Sequence, residues 1–193
     1  MIKSSLYALF IVMLSIPAWA ENSVTEWKII PEESAIIFTA TQMGAEFDGV
    51  FNRFDGNILF DPANPSTGRA LIEIDTGSID ANSTDRNKYL PMPDWFNVAV
   101  FPTARFETTG FENGLGNNQY VARGNLTIRD RTNPVTLPFT LTVNDDGKAH
   151  VTGETKVNRL DFGVGQGQWA DVKTVSAEVT VKISLTAVPV TAR

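Results

Sequence analysis

Apolar and polar residues alternate with a period of two along much of the chain, the pattern of a strand that buries one face and exposes the other. Three segments carry it without a break. Val135, Leu137, Phe139, Leu141 and Val143 are apolar, and Thr136, Pro138, Thr140 and Thr142 stand between them. The alternation resumes after Asn144, Asp145, Asp146 and Gly147, with Ala149, Val151, Gly153, Thr155 and Val157 set against His150, Thr152, Glu154, Lys156 and Asn158. That connection has the residues a hairpin turn favours, so these two strands are predicted to pair directly. The third segment runs from Val175 to Leu185, with Ala177, Val179, Val181 and Ile183 on one side and Glu178, Thr180, Lys182, Ser184 and Thr186 on the other.

Less regular strands are predicted at 34–41, 47–54, 57–61, 69–76, 103–111 and 119–129, giving eight or nine in all. Turns are placed at Asp55 to Asn57, Pro62 to Gly68, Asn113 to Asn118 and Asp130 to Pro134, where Gly, Pro, Asn and Asp gather. One interruption stands out at 79–97. There Asn82, Ser83, Thr84 and Asp85 can cap a short helix that continues through Leu90 until Pro91 and Pro93 stop it. This segment is expected to cover an opening. Closely spaced antiparallel strands with little helix point to an all-β sandwich or barrel.

The N-terminus adds an address. Lys3 precedes the apolar run Leu6 to Ile16, which is followed by Pro17 and the small-residue pattern Ala18, Trp19, Ala20. These are the parts of a secretory signal peptide, with cleavage expected after Ala20, and the run is too short to span a bilayer as a helix. Residues 21–193 are of a size for one domain. The chain contains no cysteine, which excludes disulfides, thiolate nucleophiles and Cys-ligated metals. Of its 16 basic residues, loss of Lys3 leaves 15 against 22 acidic ones, a net charge of −7. With no clustered Lys and Arg, a nucleic-acid partner is not expected.

Several runs, in order and at consistent spacing, carry a family resemblance. They are Phe47 to Gly56 leading into Phe60, Asp61 and Pro62; Leu90 to Pro102 with Asp94, Trp95 and Phe96, continuing to Phe106; Gly124 to Arg129 followed by Pro134 to Leu137; and Arg159 to Gly165 with Trp169 behind. Together they resemble the YceI-like family of exported lipid-binding proteins, across essentially all of residues 21–193. The resemblance implies an extended antiparallel, lipocalin-like barrel of about eight strands around a long apolar channel, with a short helix near 82–97. It also implies a polyisoprenoid or prenyl quinone as ligand, periplasmic location, no required cofactor and transient membrane contact for lipid exchange. Many relatives carry a His-Ser pair and a further His where this chain has Glu33, Ser34 and Gln42, so any role of those histidines is absent here.

Apolar inward positions can belong to a filled core or to a channel wall, since both need the same residues. The resemblance favours the wall, for which Phe38, Phe60, Ile72, Trp95, Phe96, Phe106, Ile128, Phe139, Phe162 and Val181 are the candidates. Arg159 and Asp161 form a candidate charge pair that orients a ligand head group or fixes a loop. Gly163, Gly165 and Gly167 lack the lysine and helix of a phosphate loop and read as a flexible loop. His150 is the only histidine, and no Gly-x-Ser-x-Gly elbow supplies it with a nucleophile. No catalytic residue and no metal ligand is nominated, and nothing specifies an oligomeric state. Two other readings stay open: an enzyme acting on a bound lipid or sugar, and a small outer-membrane barrel, whose apolar side would face outward.

Overall fold

A computed structural model describes residues 24–190; the signal-peptide segment lies outside them. Among the described residues the strands are β1 (Glu26–Ile29), β2 (Ala35–Gln42), β3 (Ala45–Phe51), β4 (Phe54–Leu59), β5 (Arg69–Asp75), β6 (Ile79–Asp80), β7 (Thr103–Asn113), β8 (Gln119–Ile128), β9 (Arg131–Val143), β10 (Ala149–Asn158) and β11 (Glu178–Pro189), with one α-helix, α1 (Thr84–Tyr89). All pairings are antiparallel, in the order β1-β4-β5-β7-β8-β9-β10-β11-β2-β3-β6, and β1 also pairs with β11. The ring is closed. Three of its staves are broken strands: β1 with β2, interrupted by the turn Pro31–Glu33; β3 with β4, bent at Asn52 and Arg53; and β5 with β6. The result is an eight-stranded antiparallel barrel with one short helix, and closure leaves no edge strand exposed for aggregation.

The period-two pattern fixes which side chains enter the lumen. Even residues of β2, odd residues of β9, β10 and β11, and Ala70, Ile72 and Ile74 of β5 face inward. The β9–β10 hairpin forms at the expected place, closed by Gly147 N–H donating to Asn144 O at 2.9 Å, with Gly147 at φ +80°. Ser83 caps α1, its side chain accepting from Arg86 N–H. Both follow from local chemistry legible in the sequence.

Other boundaries moved. Asp55, Gly56 and Asn57, read as a turn, lie inside β4. A Cβ at Gly56 would sit 2.4 Å from Leu71 O, so this glycine serves close approach of β5 and not chain reversal. The turn expected at Asp130 to Pro134 falls instead at Arg129 and Asp130, because β9 already pairs from Arg131 opposite Ile128. The last strand begins at Glu178, while Val175 makes a single bridge to Gln42. Strand β1 was not foreseen, being only four residues long.

Gly49 of β3 is a second close approach. A Cβ there would lie 2.2 Å from the Phe38 ring and 2.8 Å from Asp80 O. Phe38 is its cross-strand partner, so the ring lies over the glycine. Gly49→Ala is expected to cost about 1–3 kcal/mol through overpacking, measured by urea unfolding. An unchanged midpoint would mean that ring and strand give way freely.

Candidate ligand-binding site

The lumen contains two adjoining compartments. The inner one, of about 160 Å³, has 24 lining residues, of which Thr108 and Thr155 alone carry polar side chains apart from the indole of Trp27. Its far end is an aromatic plug. Phe60 meets Phe111, Tyr120 and Phe139 edge-on at 5.0, 5.2 and 5.9 Å between centroids, and the Trp27 indole N–H is spent on Phe60 O at 3.0 Å. Such edge-to-face contacts are the favoured geometry of aromatic pairs.

The outer compartment, of about 550 Å³, lies under α1 and the loops around Trp95 and Trp169. Its wall is also mostly apolar, but it includes Gln42, Ser83, Asp85, Arg86, Tyr89 and Arg159. Ile36, Ile74, Leu126, Val157 and Val181 line both compartments and so form a collar between them. A long molecule threading the collar would meet almost no polar atoms inside it and several at the α1 end. That asymmetry suits a chain with a head group.

The sequence-nominated residues fall on this surface with one exception. Phe60, Ile72, Phe106 and Phe139 line the inner compartment, Val181 the collar, and Phe38, Trp95, Phe96, Ile128, Arg159 and Phe162 the outer one. Asp161 is exposed and lines neither. It makes no ion pair with Arg159, so the expected charge pair does not form.

Arg159 is instead the organiser of the outer loops. It is only 4% exposed, and burial lowers its pKa from the usual guanidinium value. All five of its N–H groups reach backbone carbonyls: Nε to Ser176 at 2.8 Å, Nη1 to Val164 and Gly165 at 2.8 and 3.1 Å, and Nη2 to Trp169 and Val175 at 2.7 and 2.8 Å. The planar fork is suited to this. Its guanidinium also stacks 5.4 Å from the Trp95 ring centre. Gly165, at φ +80°, is required because a Cβ there would fall 2.0 Å from Arg159 Nη1. The loop expected to be flexible is therefore pinned, and Val164 is buried within it.

Arg129 does similar work from the β8–β9 turn, where its own φ is +58°. Its Nη1 donates to the carbonyls of Pro93, Trp95 and Gly163. Two arginines thus hold the 93–97 and 163–169 loops against the barrel end. Helix α1 is anchored from below: Asn87 Oδ1 accepts from Ala81 N–H at 2.8 Å, and the Asp80 carboxylate accepts from Asn87 Nδ2 at 2.8 Å and Asn82 N–H at 2.9 Å. These bonds hold the Asp80 pKa below its usual range, so this tie is present at neutral pH and lost only in strong acid.

Sequence reasoning missed Trp27, Phe111, Tyr89, Trp169, Phe47 and Arg86 as wall residues. Phe111 shows why. Ala104, Phe106 and Thr108 face inward at even positions of β7, but a bulge between Thr108 and Gly110 shifts the register and turns odd Phe111 inward. His150 is half-buried outside the lumen, its Nδ1 3.3 Å from Thr186 Oγ1. Among the described residues no group of His, Asp and Glu is arranged to hold a metal ion. The lumen is apolar while Glu154, Lys156, Glu178 and Lys182 stand outside, the reverse of a transmembrane barrel.

Comparison with known proteins matches this architecture. The chain is 34% identical to a UPF0312 protein of Shewanella denitrificans over 137 residues, 68% of this chain and 71% of that one. It is 44% identical to a UPF0312 protein of Yersinia pestis over 95 residues, 49% of this chain and 48% of the relative. Among solved structures it resembles Burkholderia cenocepacia BcnA, with a TM-score of 0.78 at 30% identity, over 82% of this chain and 98% of that one. A domain of Saccharophagus degradans, described as polyisoprenoid binding and implicated in plant cell wall breakdown, shares the fold with a TM-score of 0.68 at 13% identity, covering 85% and 98% of the two chains. The sequence profile of the YceI-like domain matches residues 27–187, and the chain belongs to that family.

Proposed function

We propose that this protein is a non-catalytic carrier that holds one long-chain polyisoprenoid lipid or prenyl quinone in its barrel. One observation carries the reading: a nearly polar-free inner compartment continues through an apolar collar into an outer compartment whose polar groups gather at the α1 end. Each methylene-sized group taken from water contributes roughly 0.8 kcal/mol, so about ten carbons contribute about 8 kcal/mol before association and ordering costs. Holding such a chain needs no metal, cofactor or reacting side chain. The shared fold of the Saccharophagus degradans domain described as polyisoprenoid binding supports the same ligand class.

The carrier is exported to the periplasm by its cleaved N-terminal segment, as the pattern ending at Ala20 supports. It exchanges ligand by brief contact with a membrane. Met43, Tyr89, Met92 and Val172 are exposed on the segments around the outer compartment; Met43 N–H is bonded to Thr174 O and the Tyr89 ring lies 5.6 Å from Trp169. These apolar side chains suit passing contact with a bilayer surface.

Three tryptophans report on occupancy, since Trp27 lines the inner compartment and Trp95 and Trp169 the outer one. Titration with a menaquinone is expected to quench their fluorescence saturably at one quinone per protein. Linear, non-saturating quenching would count against a defined site.

A further inference from the structure

The two arginines of the outer compartment are not equivalent, and one of them is poised to receive a ligand atom. Arg159 has no N–H left to donate. Arg86, which also lines the outer compartment, has. Its Nε and Nη2 both donate to Ala81 O, at 3.1 and 3.0 Å, so one edge of the guanidinium is spent on the backbone. Among the described residues the opposite edge, formed by Nη1 and the second hydrogen of Nη2, has a single partner, the Gln42 side-chain oxygen at a long 3.4 Å. Among the described residues Arg86 forms no ion pair.

The guanidinium is also held in place. It stacks 4.1 Å above the centre of the Phe47 ring and sits on the first turn of capped α1. A fork fixed on one edge and open on the other is the arrangement that takes two acceptor oxygens, or two lone pairs of one oxygen, in a planar contact. Of the neighbouring polar groups on this wall, Asp85 carries the one negative charge, against the positive charges of Arg86 and Arg159. Asp85 is exposed to water, while Arg159 is buried without an acidic partner.

We infer that Arg86 binds the head group of the ligand and that this head group is an acceptor, either a quinone carbonyl or a phosphate oxygen, with the tail running through the collar toward Phe60. The inference rests on the carrier reading and adds to it an orientation and a specificity-determining residue. Gln42 occupies the site provisionally and yields it to the ligand.

The test compares three probes with the full mature chain: a menaquinone bearing four isoprene units, geranylgeranyl diphosphate, and squalene, which has no head group. Binding is read as displacement of diphenylhexatriene, a neutral hydrocarbon. The natural protein is expected to bind the quinone or the diphosphate at least about tenfold more tightly than squalene. Arg86→Gln is expected to erase that preference while leaving squalene within about twofold. A preference for the diphosphate that weakens as salt is raised identifies the phosphate, and a salt-independent preference for the quinone identifies the carbonyl. Arg86→Lys retains the charge and aliphatic stem but not the fork, and is expected to lose the quinone preference should Arg86→Gln fail to fold.

Equal binding of all three probes by the natural protein, or an equal loss of all three in a folded Arg86 variant, would overturn the head-group assignment and leave the carrier standing. Absence of binding by any probe would overturn the carrier reading itself.

Discussion

Arg159→Met is expected to lower stability by about 3–5 kcal/mol, although the substitution removes a buried charge. Methionine fills much of the same space, and buried charges are often replaced by apolar groups without penalty when every partner goes too. Here the partners are five backbone carbonyls, of Ser176, Val164, Gly165, Trp169 and Val175, and they cannot go. Each buried carbonyl left without a donor costs about 1–3 kcal/mol, and the loops recover part of this only by opening to water. Thermal unfolding is expected to shift down by about 10 °C or more for a chain of this size. Hydrogen exchange is expected to rise first at residues 163–176. A melting temperature within 2 °C of the natural protein would show that the loops do not depend on this clamp.

Leu126→Trp is expected to weaken binding of a long prenyl chain by at least about tenfold while a short chain, confined to the outer compartment, binds as before. Leu126 belongs to the collar of Ile36, Ile74, Val157 and Val181. The larger indole extends into the passage and separates the inner ≈160 Å³ from the outer ≈550 Å³ compartment. Because the side chain points into space rather than into a close-packed neighbour, the overpacking cost is kept to about 1–3 kcal/mol. Probes with two and eight isoprene units, compared by displacement on the same preparation, check it. A filled core gives the opposite signature, a large loss of stability with no dependence on chain length, and equal affinity for both probes would refute the threading of the collar.

Much of the barrel was legible because alternation reports directly on which face of a strand is buried. Phe139, Val181 and Ile72 could be named as inward from parity alone, and they are. Parity fails where strands are irregular. The bulge before Gly110 hid Phe111, and the shortness of β1 hid Trp27. A glycine misled in a different way: Gly56, read as a turn residue, is a gap into which the neighbouring strand fits.

The polar end of the site was less accessible to sequence reasoning. Proximity in the chain suggested pairing Arg159 with Asp161, yet a buried guanidinium surrounded by loop carbonyls needs no carboxylate, and Asp161 points to water. Arg86 sits four residues into a predicted helix start, with nothing local to distinguish it from a solvated cation. Its place on the wall of the outer compartment shows only when α1 is laid over Phe47 and Gln42, contacts that reach back across the first three staves of the barrel and meet at one mouth.

The measurement that bears most directly on the carrier reading is the mass of whatever the protein carries. Expressed with its N-terminal segment, purified without detergent, extracted with organic solvent and examined by mass spectrometry, it is predicted to yield a prenyl lipid or quinone at close to one molecule per chain. A protein that purifies in the same way and yields no lipid would contradict it.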